Sequence, residues 1–358
     1  MSIRESFKGR KVFLTGHTGF KGSWMLAWLH DMGATVKGYA LAPEPGNDLF
    51  HAIGGDSLCE SVIADIRDAH RLRDEILSFR PDVVFHMAAQ PLVRLSYEIP
   101  AETFDVNTQG TAHLLDALRH LEGPCTAVMI TTDKVYENNE RGIPFREEDR
   151  LCGHDPYSAS KAAAEIVIDS YRKSFFPPER YDTHLKSVSA ARAGNVIGGG
   201  DMARDRIIPD IVRALSAGQP AGIRNPRSIR PWEHVLEPLH GYLVLAAMQL
   251  QDPAGFADAF NFGPHPENAF EVGRLAERMI EAWGSGSLQD LSGDTVMKEA
   301  GTLQLDISKA MARLPWKPKL SFEDTVTFTI RWYRDRVVHG MDAHELMMRD
   351  ILDFEARY

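Results

Sequence analysis

A glycine-rich segment directly after the first apolar run constrains the fold more than any other feature of this sequence. The run KVFLTG is typical of a β-strand, and glycines then recur at every third position, at Gly16, Gly19 and Gly22. Apolar residues return with helical spacing in KGSWMLAWLHDMG, which ends at Gly33. Glycines at a strand-to-helix turn let the backbone approach a phosphate, and the helix N-terminus presents free N–H groups to it. The segment therefore predicts a strand, a phosphate-binding turn and a helix.

Short apolar runs alternate with helical patterns through the first half of the chain. Strands are predicted at ATVKGYAL, SVIAD, DVVFHMAA and CTAVMITT, and the last two are continuous apolar runs typical of central parallel strands. This alternation indicates an α/β fold with a doubly wound parallel sheet, the Rossmann arrangement. We expect residues 1–190 to form a dinucleotide-binding domain and residues 191–358 to form mainly a smaller C-terminal substrate-binding lobe, with segments that return to the sheet.

Charge and cysteine content narrow the class of protein. The formal net charge of −10 argues against binding to nucleic acid or to an anionic membrane, because both need a basic surface. Cys59, Cys125 and Cys152 show neither CxxC nor Cys/His ligand spacing, so we expect no disulfide framework and no bound metal. The start MSIRESFKGRK lacks the apolar stretch of a signal peptide, and the apolar stretch near YLVLAAMQL is too short for a membrane span. These features predict a cytoplasmic protein.

A tyrosine and a lysine four residues apart lie at the start of a predicted helix, DPYSASKAAAEIVIDSY. Asp155 is expected to cap this helix and Pro156 to open it, which places Tyr157 and Lys161 one turn apart on one face. A cation near a phenol favours the phenolate, so we expect the pKa of Tyr157 to fall toward neutrality. Such a tyrosine can take the proton of a sugar hydroxyl while hydride leaves the carbon.

The glycine spacing, taken with the tyrosine and lysine pair, resembles the extended short-chain dehydrogenase/reductase family. This resemblance implies NAD as the cofactor. NAD is favoured over NADP because the end of the second strand, GYALAP, offers no arginine to bind a 2′-phosphate. The same segment departs from the family pattern, because it also offers no acid to bind the adenosine ribose; the first acid is Glu44. The cofactor-binding residues that the resemblance implies are Gly16, His17, Thr18, Gly19, Phe20, Gly22, Asp65, Ile66, Ala88, Ala89, Tyr157 and Lys161.

The run CTAVMI continues into TTDKVY, which places a hydroxyl, a carboxylate and an ammonium group in consecutive positions. By the same resemblance, Thr132 hydrogen-bonds the reacting hydroxyl, and an acid after it is typical of nucleotide-sugar 4,6-dehydratases. Once carbon 4 of a hexose is a ketone, carbon 5 becomes acidic, and water can leave from carbon 6 if an acid protonates the departing hydroxyl. We predict that Asp133 is this acid. Lys134 is predicted to serve the carbon 5 proton step, either as a neutral base or as a cation that stabilises the enolate.

The order Thr-Asp-Lys, together with AAQPLVRLSY and RPWEHVLEP, resembles the CDP-glucose 4,6-dehydratases over essentially the whole chain. The resemblance implies CDP-glucose as a small-molecule substrate and a role in making deoxysugars for bacterial surface polysaccharide (O-antigen). The residues that match substrate-binding residues of the family are Asn195, Arg192, Arg230 and Thr132. Asn107 matches a structural asparagine of the family, and a buried polar cap is an equally good interpretation.

The alternative functions are a nucleotide-sugar 4-epimerase and a 4,6-dehydratase that acts on another nucleotide-glucose. An NAD-sensing regulator is disfavoured because the tyrosine and lysine are both present. The family commonly dimerises through the helices that carry this pair, so a homodimer is expected.

Overall fold

The computed structural model describes residues 2–43, 48–138, 142–203, 206–265, 268–292 and 303–358. Within these ranges the helices are α1 (Ile3–Phe7), α2 (Phe20–Asp31), α3 (Leu49–Ala52), α4 (Ala69–Phe79), α5 (Val93–Glu98), α6 (Pro100–Phe104), α7 (Gly110–His120), α8 (Pro156–Ser174), α9 (Tyr181–His184), α10 (Ile207–Ser216), α11 (Leu236–Gln251), α12 (Val272–Trp283), α13 (Ser308–Arg313), α14 (Phe322–Val337) and α15 (Ala343–Glu355). The strands are β1 (Lys11–Thr15), β2 (Thr35–Ala40), β3 (Glu60–Ile63), β4 (Val83–His86), β5 (Cys125–Ile130), β6 (Lys186–Ala193), β7 (Asn195–Ile197), β8 (Ala221–Ile223), β9 (Ile229–His234), β10 (Ala259–Phe262), β11 (Ala269–Glu271) and β12 (Leu288–Asp290).

The main sheet of the described residues has seven strands in the order β10-β6-β5-β4-β1-β2-β3, and every neighbouring pair is parallel. The chain moves outward from β1 to β3, returns to β4 beside β1, and then moves outward in the opposite direction. This order confirms the predicted doubly wound sheet. Ligands of such sheets bind outside the carboxyl ends of the strands, at the point where the order reverses. The loops that follow β1, β4 and β5 all lie at this edge.

Helices cover both faces of the sheet. Successive side chains along each strand point to opposite faces, so the apolar strands present apolar side chains on both faces. Leu14 of β1 packs with Trp24 of α2 on one face, whereas its neighbour Phe13 packs with Leu72 of α4 and Leu115 of α7 on the other. The central strands β4 and β5 are buried along their whole length. The continuous apolar runs in the sequence reflect this burial on both faces.

Helix starts near the site follow capping rules. Asp155 accepts a hydrogen bond from the Ser158 backbone N–H at 2.9 Å, and Pro156 occupies the first turn of α8. Asp68 caps α4 in the same way, by accepting from the Arg71 N–H at 3.0 Å. A carboxylate at this position satisfies an N–H group that the helix itself leaves unpaired. The cap predicted at the start of α8 is confirmed.

The chain after β6 contributes one more strand to the main sheet and forms two smaller sheets. β10 pairs with β6 at the edge of the main sheet, while β11, β9 and β7 form a three-stranded sheet and β12 pairs with β8. β9 and β7 lie near the carboxyl end of β6, since β7 begins two residues after it. Across the described ranges, no helix has the length and apolar character needed to cross a membrane, and no His, Cys, Asp and Glu side chains cluster as metal ligands would.

Candidate active site

The turn between β1 and α2 has a geometry that requires glycine. Gly16 has a φ of +76°, and a Cβ at this residue would lie 2.8 Å from the backbone nitrogen of Ala88. A Cβ on Gly22 would lie 1.9 Å from the carbonyl oxygen of Gly16. Gly19 precedes α2 without a side-chain cap, so the first-turn N–H groups of the helix face outward for a ligand. This backbone cradle fits the pyrophosphate of a dinucleotide.

The side chains of the same turn point into the protein. His17 is fully buried, with Nε2 hydrogen-bonded to Ser61 Oγ at 2.8 Å, and burial lowers the pKa of His17 to about 4. Thr18 Oγ1 donates to the Leu41 carbonyl at 2.9 Å, and Phe20 is also buried. These three residues can therefore contribute backbone groups to a cofactor site, whereas their side chains hold the turn in place.

The residues predicted for the adenosine end lie after β3 and β4. The Asp65 carboxylate is bound by Arg67 at 2.6 Å, and this hydrogen bond holds the pKa of Asp65 below its usual value. Ile66 is buried beneath it, and Ala89 is half-buried in the loop after β4. Binding of the cofactor by Asp65, which the family resemblance implies, stays a prediction. Glu44, the first acid after β2, lies outside the described residues.

The predicted catalytic hydroxyl and carboxyl groups lie together at the carboxyl end of β5. The Thr132 side chain is close enough to Tyr157 to act on the pKa of its phenol, and Thr132 Oγ1 donates to Asp133 Oδ1 at 2.9 Å. Asp133 is completely buried, and its Oδ2 has no hydrogen-bond partner in the part of the chain that the structure describes. A base, a hydroxyl and an acid thus meet at this end of the strand.

The direction predicted for the pKa of Tyr157 is wrong for the protein as it stands. Burial raises this pKa above its ordinary value, and Lys134 supplies the main opposing charge. Lys161 instead points toward β5, where Nζ donates to the Ile130 carbonyl at 3.2 Å, and burial lowers the pKa of Lys161 to about 8. Loss of water around the phenolate outweighs the attraction of nearby cations.

Lys134 lies at the mouth of the site with its side chain 30% exposed. Its Nζ lies 3.2 Å from Asp133 Oδ1 and 3.4 Å from Asn195 Oδ1. Burial lowers the pKa of Lys134, but Asp133 and Tyr157 outweigh it, so the pKa is raised and the amine is charged. The positive charge of Arg230 is close enough to lower the pKa of the same ammonium group. Asn195 and Arg230 therefore lie beside the catalytic groups.

Arg192 does not face the site, and its predicted role in binding substrate is wrong. The guanidinium group is 4% exposed and donates to both carboxylate oxygens of Glu165, at 2.9 and 2.8 Å. It also donates to the Tyr136 hydroxyl at 2.7 Å and to the Glu147 carbonyl at 2.9 Å. Because each nitrogen of the fork is engaged inside the protein, Arg192 ties β6 to α8.

Asn107 fixes α8 against the loop after β4. It lies in a π-helical turn, is 1% exposed, and accepts the Gln90 N–H at 2.9 Å. Its Nδ2 donates to the Gln90 carbonyl at 3.1 Å and to Ser160 Oγ at 2.9 Å. Asn107 is thus a buried polar side chain that holds the helix carrying Tyr157.

Several ionisable side chains near Asp133 and Tyr157 do not follow from the sequence reasoning. They are Lys21, Arg206, Glu233 and Tyr242. Two of them carry a detectable signal, because a lysine inside a glycine-rich turn and an acid inside the apolar strand RPWEHV both stand out in the sequence. For the other two, proximity to the site depends on the tertiary fold alone.

Comparisons with known proteins agree with this geometry. Residues 13–329 match the family model described as GDP-mannose 4,6 dehydratase. The chain is 46% identical to the CDP-glucose 4,6-dehydratase of Salmonella typhimurium over 99% of this chain and 98% of that protein. It is 30% identical to the dTDP-glucose 4,6-dehydratase of Streptomyces antibioticus over 90% of this chain and 92% of that protein. The crystal structure of the dTDP-glucose 4,6-dehydratase of Streptomyces venezuelae with NAD bound superimposes with a TM-score of 0.72 at 25% identity, covering 91% of this chain and 97% of that one.

Proposed function

The chain belongs to the GDP-mannose 4,6-dehydratase family, and on that basis we propose that it converts CDP-glucose to CDP-4-dehydro-6-deoxyglucose with bound NAD. The observation that carries this proposal is Asp133, a buried acid that is hydrogen-bonded to Thr132 and lies close to Tyr157. A 4-epimerase needs a base beside the cofactor but no acid for a leaving hydroxyl. The backbone cradle after β1 would hold NAD, which would supply the hydride acceptor for carbon 4 and the hydride donor for carbon 6.

Tyr157 and Thr132 serve the first step. The Tyr157 phenolate takes the proton of the carbon 4 hydroxyl, and the Thr132 hydroxyl orients that group. Burial holds the phenol protonated in the free protein, whereas the nearby Lys134 and Thr132 side chains act in the opposite direction. Lys161, which lies one turn along α8, is held against the β5 backbone, where it can bind the cofactor ribose.

Asp133 serves the elimination. The ketone at carbon 4 acidifies carbon 5, whose proton passes to solvent, and Asp133 gives its proton to the carbon 6 oxygen as the carbon–oxygen bond breaks. Carbon 5 regains a proton from solvent when carbon 6 receives its hydride. The buried position of Asp133 keeps water away from this acid, so the proton goes to the substrate oxygen.

Lys134 stabilises the enolate as a cation, since its pKa is raised and its amine is protonated. We expect Lys134→Met to lower turnover and deuterium uptake from solvent at carbon 5 by about 10²-fold, the size typical of one lost electrostatic donor. Lys134→Arg is the matched control, because arginine keeps the charge but cannot act as a base. Retention of most exchange in the arginine variant supports the electrostatic role. Equal loss in both variants would instead identify Lys134 as the base.

Asn195 and Arg230 bind the diphosphate of the substrate. Both lie next to Lys134, on β7 and β9, at the opening of the site. A guanidinium fork matches two phosphate oxygens, and an amide can donate to a third. The preference for the cytosine base is proposed from the 46% identical relative.

A cytoplasmic homodimer completes the proposal. The family resemblance supports pairing through α8, on which Ile166 is 60% exposed and available for contact with a partner.

The test is to incubate the purified protein with CDP-, dTDP-, UDP- and GDP-glucose in parallel and to identify the products. We expect a 4-keto-6-deoxy sugar from CDP-glucose with no net reduction of NAD. A galactose nucleotide as the product would identify a 4-epimerase instead. If a keto sugar formed faster from another nucleotide-glucose, the assigned substrate would change but the assigned reaction would not.

A further inference from the structure

A buried histidine at the end of β4 has no part in the mechanism described so far. His86 is 2% exposed, and its strand lies beside β1, where the order of the main sheet reverses. Its Nδ1 lies 2.9 Å from Thr15 Oγ1, and its Nε2 lies 3.1 Å from Thr111 Oγ1. Each ring nitrogen must match the donor or acceptor that it meets, so the two contacts fix both the orientation of the ring and the place of its proton. His86 therefore joins the end of β1 to the start of α7.

The hydroxyl of Thr15 decides which nitrogen of His86 carries the proton. Thr15 Oγ1 accepts the backbone N–H groups of Met87 and Ala88, at 3.0 and 3.1 Å. These two bonds occupy both lone pairs of the oxygen, so its own proton points to His86 Nδ1, which must be unprotonated. The ring proton is then on Nε2 and is donated to Thr111 Oγ1. His86 is therefore in its neutral Nε2–H form.

The surroundings of the ring agree with a neutral histidine. Burial lowers the pKa of His86 to about 3, and the positive charge of Lys161 acts in the same direction. A second ring proton, on Nδ1, would also meet the proton of the Thr15 hydroxyl. His86 therefore acts by holding neighbouring groups in place and not by transferring a proton to or from a substrate.

Hydrogen bonds continue in the same direction from Thr111 to the helix that carries Tyr157. The Thr111 hydroxyl donates to the Asn107 carbonyl at 2.7 Å, and Asn107 Nδ2 donates to Ser160 Oγ at 2.9 Å. The Ser160 hydroxyl then donates to the Tyr157 carbonyl at 2.7 Å. All the side chains that take part are at most 2% exposed. We call them the buried network, and they are Thr15, His86, Thr111, Asn107 and Ser160.

The other end of the buried network lies against the glycine-rich turn after β1. Thr15 directly precedes Gly16, and a Cβ on Gly16 would lie 2.8 Å from the backbone nitrogen of Ala88. Thr15 Oγ1 accepts the hydrogen of that same nitrogen, so the spacing between the turn and the loop after β4 depends on this hydroxyl. The hydroxyl keeps its direction while His86 accepts its proton. His86 thus lies between the turn that would hold the cofactor and the helix that carries the base.

We propose that His86 is a positioning residue, which fixes the helix of Tyr157 relative to the glycine-rich turn by accepting from Thr15 and donating to Thr111. Hydrogen bonds that donate in one direction polarise one another, so each bond of the buried network strengthens the next. The first chemical step needs the base in a fixed place beside the cofactor site, and a misplacement of about 1 Å can cost about 10²-fold in rate. This inference rests on the proposed function and names a residue that prepares the site for its first step.

The test is the rate of the first chemical step in His86→Phe. The phenyl ring fills a similar space, but it leaves the Thr15 hydroxyl without its acceptor and the Thr111 hydroxyl without its donor. The measurement is the rate constant for consumption of CDP-glucose in quenched single turnovers with enzyme in excess, and we expect it to fall by about 10-fold or more. A mere loss of folded protein would lower the amplitude of the single turnover and leave this rate constant unchanged.

Two further variants separate the buried network from a general disturbance of the core. His240→Phe is the matched control, because it makes the same replacement at a buried histidine that packs with Trp28 and Phe354, and we expect it to leave the rate constant unchanged. Thr111→Val removes the next hydroxyl of the network, and the double variant with His86→Phe is expected to be no slower than His86→Phe alone. A wild-type rate constant in His86→Phe, or single losses that simply add, would overturn the proposal.

Nitrogen NMR of the imidazole ring tests the buried network without substrate. The signals of His86 are identified as those missing from His86→Phe. At neutral pH we expect the ligand-free wild type to show His86 with a protonated Nε2 and an unprotonated Nδ1. A ring that carries its proton on Nδ1, or on both nitrogens, would contradict the inference. A wild-type protein that leaves CDP-glucose unchanged would contradict the proposed function instead, and the NMR result would still stand or fail by itself.

Discussion

Tyr157→Phe is expected to lower kcat for the dehydration by about 10³–10⁴-fold, because the phenylalanine ring fills the same space and cannot take a proton. Tyr157 is buried beside Thr132, and Asp133, the carboxylate that accepts from Thr132 Oγ1, is assigned to the later protonation of the leaving hydroxyl. The loss falls on the first chemical step, so keto sugars of every kind should disappear together.

The control for this variant is Tyr171→Phe, which removes a phenol from the same helix, α8, outside the site. We expect it to leave kcat unchanged. Binding of CDP-glucose to Tyr157→Phe should stay within a few-fold of wild type, measured by calorimetry. A Tyr157→Phe enzyme that retained a tenth or more of its turnover would place the base elsewhere.

Asp133→Asn is expected to lower the rate of product formation by a similar factor, about 10³-fold, but at a different step. Asparagine keeps the shape and can still accept the hydrogen bond from Thr132, whereas it cannot protonate a leaving hydroxyl. Oxidation at carbon 4 should continue, so the enzyme should hold a keto sugar nucleotide that has not lost water. Mass spectrometry of quenched single-turnover reactions distinguishes that species from the product.

The two variants together locate the acid and the base. Loss of all keto species in the tyrosine variant, with accumulation of the hydrated keto species in the asparagine variant, assigns the roles as proposed. If Asp133→Asn formed the final product at the wild-type rate, the acid would be another group.

Much of the fold follows from the sequence, because it depends on local patterns. The continuous apolar runs of β4 and β5 reflect burial on both faces, and Asp155 with Pro156 marks the start of α8. The carboxyl ends of parallel strands meet at one edge, so the position of Thr132 after β5 also follows from the pattern.

Side-chain direction and protonation do not follow from local patterns. Arg192 comes directly before the substrate loop in sequence, yet it points to Glu165, a partner that only the fold brings near. The pKa of Tyr157 depends on how deeply the phenol is buried, which spacing along a helix does not reveal. Lys21 and Glu233 are more than two hundred residues apart in the chain, so their closeness to Asp133 appears only in the assembled structure.

The transfer of hydrogen within one sugar is the central claim, and a single labelled substrate tests it. CDP-glucose that carries deuterium at carbon 4 should give a product with that deuterium at carbon 6, when the reaction is run in ordinary water and the product is examined by NMR. Product that has exchanged the label with the solvent, or that keeps it at carbon 4, would contradict the account.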